Sequence, residues 1–148
     1  MHGEALVPEI TPDETWDEMF DEIYLSTYSV GLADRDSAAE AEAAARFAGV
    51  EPPAEILDAP TGFGRHALPL AKLGFHVTGV DRSEVQLSEA RRIAGEVEWP
   101  KWLRADLREL PFEDERFDAV LCLFTSIGYR GEEGDRQAFA QFLRVLRP

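Results

Sequence analysis

The residues of this chain best suited to ligand chemistry lie in one run, Asp58-Ala59-Pro60-Thr61-Gly62-Phe63-Gly64-Arg65-His66-Ala67. Two glycines two positions apart let a backbone turn tightly and approach a bound group closely, and a helix opening directly behind them offers free N–H groups. Gly62-x-Gly64-x-x-Ala67 thus fits the relaxed glycine fingerprint of a dinucleotide-binding turn. Asp81 follows 17 residues after Gly64 and is placed to hold a pair of ribose hydroxyls. A glycine pattern alone does not say which nucleotide is bound.

Asp58 separates the readings. A carboxylate just ahead of the loop would face the pyrophosphate of a dinucleotide at short range, and two anions there repel. With S-adenosylmethionine the sign reverses, because that ligand has no phosphate and carries an ammonium and a sulfonium.

These side chains need a scaffold that brings strand ends together. Residues 55–58 read as a short strand, 65–73 as a helix ending at Gly74, 75–80 as a second strand, and 83–95 as a helix capped by Ser83 with Glu84 in its first turn. Residues 101–105 form a weak strand. Residues 117–124 form a strong one, almost continuously apolar as in a strand covered on both faces. A helix over 135–146 follows, with Phe139, Phe142, Leu143 and Leu146 on one side. Ahead of this block, residues 1–12 read as an arm. Over 11–28, Trp16, Met19, Phe20, Ile23, Tyr24 and Tyr28 recur at spacings of three and four between acids, the pattern of an acidic amphipathic helix with an aromatic stripe. It either packs on the core or also covers a cleft. A second helix, 38–49, is expected with Ser37 as its cap and Gly49 as its end. Alternating strands and helices make an open α/β sheet, mostly parallel, whose ligands bind beyond the carboxyl ends of the strands.

The chain has 148 residues, 45% of them hydrophobic, and a formal charge of −14. That charge argues against nucleic acid as a partner. Residues 1–55 hold two basic and 14 acidic residues, so the acidity belongs to the front third. The single cysteine, Cys122, excludes an internal disulfide framework and reads as a core thiol, which fits a reducing compartment. The start has no signal-peptide pattern, and the longest apolar stretch, 119–124, is too short to span a bilayer. A soluble, cytoplasmic protein without a membrane partner is expected. No metal site is read.

Taken together, the segments 56–66, 77–83, 105–107, 117–129 and 143–148 resemble successive motifs of the class I S-adenosylmethionine-dependent methyltransferases. The resemblance is strong over about 55–148 and looser over 16–28. It implies a Rossmann-like sheet with helices on both faces, here about four strands, behind N-terminal helices in 1–54 that cover the cleft. It further implies that Asp58 and the loop Pro60, Thr61, Gly62 and Gly64 hold the methionine end of the cofactor, that Asp81 takes both ribose hydroxyls and that Arg82 lies along the adenine. Asp106 would accept from the adenine amino group with Leu107 beside it, while Leu123 and Phe124 line the methionyl part. Tyr24, Tyr28 and Tyr129 are candidate lid or acceptor contacts. The family usually has Gly where this chain has Pro60, and often Cys where it has Thr61.

The implied activity is methyl transfer to an O, N or C atom of a small-molecule acceptor, with S-adenosylhomocysteine as product. No residue reads as a general base; His66 is either a packing or solvent-facing residue or a base. Two other readings stay open: an NAD(P)-dependent oxidoreductase, and a non-catalytic module that binds a nucleoside or serves in assembly. Arg147-Pro148 falls where relatives continue into further strands, so a truncated sheet is expected. Its exposed fourth-strand edge would favour association, including a homodimer.

Overall fold

Ile56 and Leu57 are neighbours in sequence yet belong to two different buried apolar clusters, one on each face of a sheet. A strand buried on both sides requires this. The computed structural model describes residues 19–20, 22–31, 36–124 and 126–148. The expected arm over 1–12 and the beginning of the 11–28 helix, Trp16 included, lie outside the described residues. In chain order the elements are α1 (Glu22–Gly31), α2 (Ser37–Ala48), β1 (Glu55–Asp58), α3 (Ala67–Lys72), β2 (His76–Asp81), α4 (Glu84–Ala94), β3 (Lys101–Arg104), β4 (Ala119–Leu121) and α5 (Gly131–Val145).

The strands pair in the order β3-β2-β1-β4, every pair parallel. This is the expected open α/β sheet. Ile56, Val77, Ala119 and Leu121 face Ala41 and Ala45 of α2 and Ala67 and Leu70 of α3. Leu57, Val80 and Phe117 face Ala138, Phe142 and Val145 of α5. Successive strands run outward from β1 to β3 and then return to β4 on the other side of β1. The loops after β1 and β4 therefore diverge, and a crevice opens at the carboxyl ends of the strands.

Local chemistry explains where the elements begin and end. α4 starts as expected, with Ser83 Oγ accepting from the Gln86 N–H at 3.3 Å. α2 does not: Asp36, not Ser37, is its cap, with Oδ1 accepting from the Ala39 N–H at 2.9 Å. Ser37 is instead the first helical residue, and its hydroxyl accepts from Arg65 Nη1 at 3.0 Å. α5 begins at Gly131, ahead of the expected 135, with Glu132 and Glu133 in its first turn, where carboxylates suit the helix dipole.

The largest correction concerns the fourth strand. Of residues 117–124 only Ala119–Leu121 is strand, because its partner β1 ends at Asp58, opposite Leu121. Before it, Phe117 bridges Leu146. After it, Phe124 takes φ 68, outside the range of extended backbone.

Candidate functional site

β1 delivers Asp58 to the base of the crevice, 1% exposed. The loop that follows is stapled to both neighbouring strands: the Ala59 N–H donates to Leu121 O at 2.9 Å and the Thr61 N–H to Val80 O at 2.8 Å. Its two glycines have φ 57 (Gly62) and φ 81 (Gly64), values that disfavour residues with a Cβ. Below the loop lies Trp102 of β3. A Cβ on Gly64 would fall 2.4 Å from Trp102 Cη2, and one on Gly79 would fall 2.7 Å from the same indole. Gly64 thus seats the loop on an aromatic floor and does not itself line the cavity. Gly64→Ala should destabilise the chain by about 2–3 kcal/mol, from overpacking combined with the positive φ. Gly62→Ala, with 3.7 Å of clearance to Gln86, should carry the φ penalty alone. Equal melting temperatures for the two variants would contradict this assignment.

Three carboxylates define the polar side of the site. Thr61 Oγ1 donates to Asp58 Oδ2 at 2.7 Å, but burial, aided by Asp81, outweighs the Thr61 bond and Arg65 and pushes Asp58 up to about 7. Asp81, at the end of β2, joins two segments, since Oδ2 accepts from the Gly62 N–H at 2.8 Å and Oδ1 from the Ser83 N–H at 2.9 Å. Burial raises it from its ordinary value, against the bonds from Ser83, Gly62 and Arg82. Asp106 goes the other way, held low chiefly by its hydrogen bonds from Arg108. Arg108 Nε donates to Oδ1 at 3.0 Å and Nη2 to Oδ2 at 2.7 Å, the Arg108 N–H donates to Oδ1 at 2.9 Å, and Arg82 Nη1 stands 3.4 Å from Oδ2. Four donors match the roughly four lone-pair sites of a carboxylate. For Asp106 to accept from an adenine amino group, one arginine has to give way.

A cavity of about 180 Å³ opens among these groups. Of the residues singled out from sequence it brings together Pro60, Thr61, Gly62, Asp81, Arg82, Asp106, Leu107, Leu123, Phe124, Tyr24 and Tyr129. Asp58 stands behind Thr61, Gly64 sits over Trp102, and Tyr28 lies in an adjoining aromatic hollow with Met19, Ile23 and Thr27. Phe20 contacts both Tyr24 and Tyr129 edge-on, and Tyr24 stacks on Tyr28 at 4.3 Å. This aromatic pile is fixed to the sheet by Ser83 Oγ, which donates to Phe20 O at 2.9 Å. On the opposite wall the Arg65 guanidinium lies 4.7 Å over the Phe124 ring, and Arg65 Nη2 and His66 Nε2 sit 2.6 and 3.0 Å from Glu40 Oε2. His66 therefore ties α2 to the start of α3. Cys122 is half-buried, and burial, then Asp58 and Asp135, pushes its thiol up to about 11, so it is no nucleophile at neutral pH.

Residues 56–148 match the family model of the methyltransferase domain. The chain belongs to the class I S-adenosylmethionine-dependent methyltransferases. The chain is 38% identical over 93 residues to the demethylmenaquinone methyltransferase of Clavibacter sepedonicus, covering 63% of this chain and 37% of that protein. It is 37% identical over 95 residues to the glycine/sarcosine N-methyltransferase of Aphanothece halophytica, covering 62% and 36%. A TehB-like S-adenosylmethionine-dependent methyltransferase from Corynebacterium glutamicum superposes with a TM-score of 0.68 at 26% identity, over 83% of this chain and 65% of that one. The chain spans less than two-fifths of the length of these two curated relatives.

The cavity suits the family's cofactor, S-adenosylmethionine, on chemical grounds. Its glycine loop leaves space beside Gly62, Asp81 offers carboxyl oxygens at the end of β2, and Asp58 supplies buried acidity behind the loop. In addition, Gln86 of α4 brings to the cavity an amide whose Oε1 and Nε2 are sealed from water without a hydrogen-bond partner. Gln86, Arg108 and Arg130 also line the cavity. Arg108 follows Asp106 at the spacing of a turn, which is a signal in the sequence; Gln86 and Arg130 carry none.

Proposed function

We propose that this chain is the cofactor-binding part of an enzyme that moves a methyl group from S-adenosylmethionine to an O, N or C atom of a small-molecule acceptor. The observation that carries the reading is the convergence of buried Asp58 and Asp81 on one glycine loop through Thr61 and Gly62. That arrangement favours a cationic nucleoside and disfavours a pyrophosphate. Family membership supports it over the nicotinamide reading.

When bound, the cofactor supplies an electrophilic methyl group on a positively charged sulfur. The chain's own residues orient it and exclude water. Asp81 and Gly62 hold the ribose side; Thr61, backed by Asp58, holds the methionine side; Leu107 covers the base; Leu123 and Phe124 flank the methionyl chain. Phe20, Tyr24 and Tyr129 form the opposite wall, in line with residues 1–54 acting as the cleft cover and 55–148 as the cofactor-binding region. Tyr24 serves as wall and donor at neutral pH, since its phenol is pushed up by burial and then by Tyr28, Tyr129 and Asp81.

Calorimetry with S-adenosylhomocysteine and with NAD tests the reading directly. S-adenosylhomocysteine is expected to bind and NAD not to; the reverse pattern would sink the proposal. No helix among the described residues is long and apolar enough to cross a membrane, and the lone cysteine supports the cytoplasm as the site of action. The side of β4 away from β1 carries no strand among the described residues, and we include self-association through that edge in the proposal. Sedimentation showing a monomer at high concentration would remove it.

A further inference from the structure

The aromatic pile at the mouth of the cavity borders a second hollow, of about 290 Å³. Phe20, Tyr24 and Tyr129 line both spaces, so the hollow is continuous with the cavity that suits the cofactor. Tyr28, Met19 and Ile23 line only the hollow, and all three are exposed, Ile23 to 74%. Tyr24 and Tyr28 lie one helical turn apart on α1 and stack at 4.3 Å with 17° between their planes. Phe20 meets Tyr24 and Tyr129 edge-on. The rings thus form a ladder that leads from the cavity out to solvent. Large apolar side chains left open around one concave space mark a place where a ligand goes.

The chemistry of the lining selects the occupant. Among the described residues lining the hollow none is charged, and its polar side-chain groups are the hydroxyls of Thr27 and the three tyrosines. An ionic ligand would give up hydration for a surface that offers no counter-charge. A flat ring, by contrast, extends the stack that Tyr24 and Tyr28 begin, and a hydroxyl or amino group on it finds tyrosine hydroxyls to bond. We infer that this hollow seats the methyl acceptor, and that the acceptor is an uncharged planar aromatic compound whose nucleophilic atom reaches past Tyr24 and Tyr129 into the cavity. The inference rests on the proposed S-adenosylmethionine reading. In the transfer, a lone pair on that atom forms the bond to the methyl carbon as the carbon–sulfur bond breaks. Sulfur keeps the electron pair and becomes a thioether, and the acceptor's proton passes to water at the open side of the hollow.

The probe is 2-naphthol, titrated by NMR into the chain saturated with S-adenosylhomocysteine. It should bind with nuclear Overhauser contacts from its ring protons to Tyr28 and Ile23. Its affinity should exceed those of its saturated counterpart decahydro-2-naphthol and of 2-naphthoate by about tenfold. Tyr28→Ala removes a ring that lines the hollow alone, so it should weaken 2-naphthol about tenfold while S-adenosylhomocysteine affinity stays within about threefold. Tyr28→Phe, which keeps the ring, should recover most of the lost affinity. A chain that binds S-adenosylhomocysteine but not 2-naphthol would overturn this inference and leave the cofactor reading standing. Equal affinity for the saturated alcohol, tighter binding of benzyltrimethylammonium than of 2-naphthol, or an unchanged affinity in Tyr28→Ala would do the same. If S-adenosylhomocysteine itself fails to bind, the cofactor reading falls and the acceptor role of the hollow falls with it.

Discussion

Asp81→Ala should lower affinity for S-adenosylhomocysteine by at least about 100-fold. A hydrogen bond to a charged group contributes about 1.5–3 kcal/mol, two ribose hydroxyls double that, and each 1.4 kcal/mol or so is a factor of ten. The substitution also orphans the N–H groups of Gly62 and Ser83, which now donate to the two Asp81 oxygens at 2.8 and 2.9 Å. The loop loses its anchor to the start of α4, and the ligand-free chain should melt lower as well. Asp81→Asn keeps one accepting oxygen, so it should retain more of the melting temperature than of the affinity. Calorimetry and circular dichroism on both variants separate the two effects. A folded Asp81→Ala chain that bound S-adenosylhomocysteine within about threefold of the original would refute the role given to this carboxylate.

Asp81 was legible because its place followed from one-dimensional information: a strand that ends, a turn, and Ser83 opening a helix. Asp58 and Gly62 were legible for the same reason. The spacing of Gly64 marks a tight loop but says nothing of Trp102, since only the pairing of β2 with β3 brings that indole under the glycine. The sequence does not decide the cap of α2, because Asp36 and Ser37 are both good caps; in the structure Asp36 caps and Arg65 takes the serine hydroxyl. The strand is shorter than the 117–124 run suggests because an apolar run says a segment is buried, not that it has a strand beside it; β1 gives out at Asp58. Gln86 could not be found, since an amide on a polar helix reads as solvated until the packing shows it sealed against Gly62.

Asp58 should make the ligand-free chain lose stability as pH rises from about 4 to about 7. Its folded value is about 7, against an ordinary 3.8, and burial is the leading cause. The folded chain therefore holds a proton that the unfolded chain has already released over this interval, and stability falls with rising pH across it. The contribution is full below the ordinary carboxylate value and gone above the folded one. At about 1.4 kcal/mol per pH unit, the window amounts to a few kcal/mol. Asp58→Asn keeps an oxygen for the Thr61 hydroxyl while abolishing the titration. It should match the original chain near pH 4, exceed it in melting temperature above pH 7, and flatten this part of the pH profile. Binding should respond in the opposite sense. A cationic methionine end near Thr61 favours ionised Asp58, so affinity for S-adenosylhomocysteine should rise between pH 6 and 8, with proton release seen by calorimetry in two buffers of different ionisation enthalpy. In Asp58→Asn both the rise and the release should vanish. A pH-independent affinity in the original chain would show that the buried carboxylate does not sense the ligand, and would leave Asp58 only its hydrogen bond to Thr61.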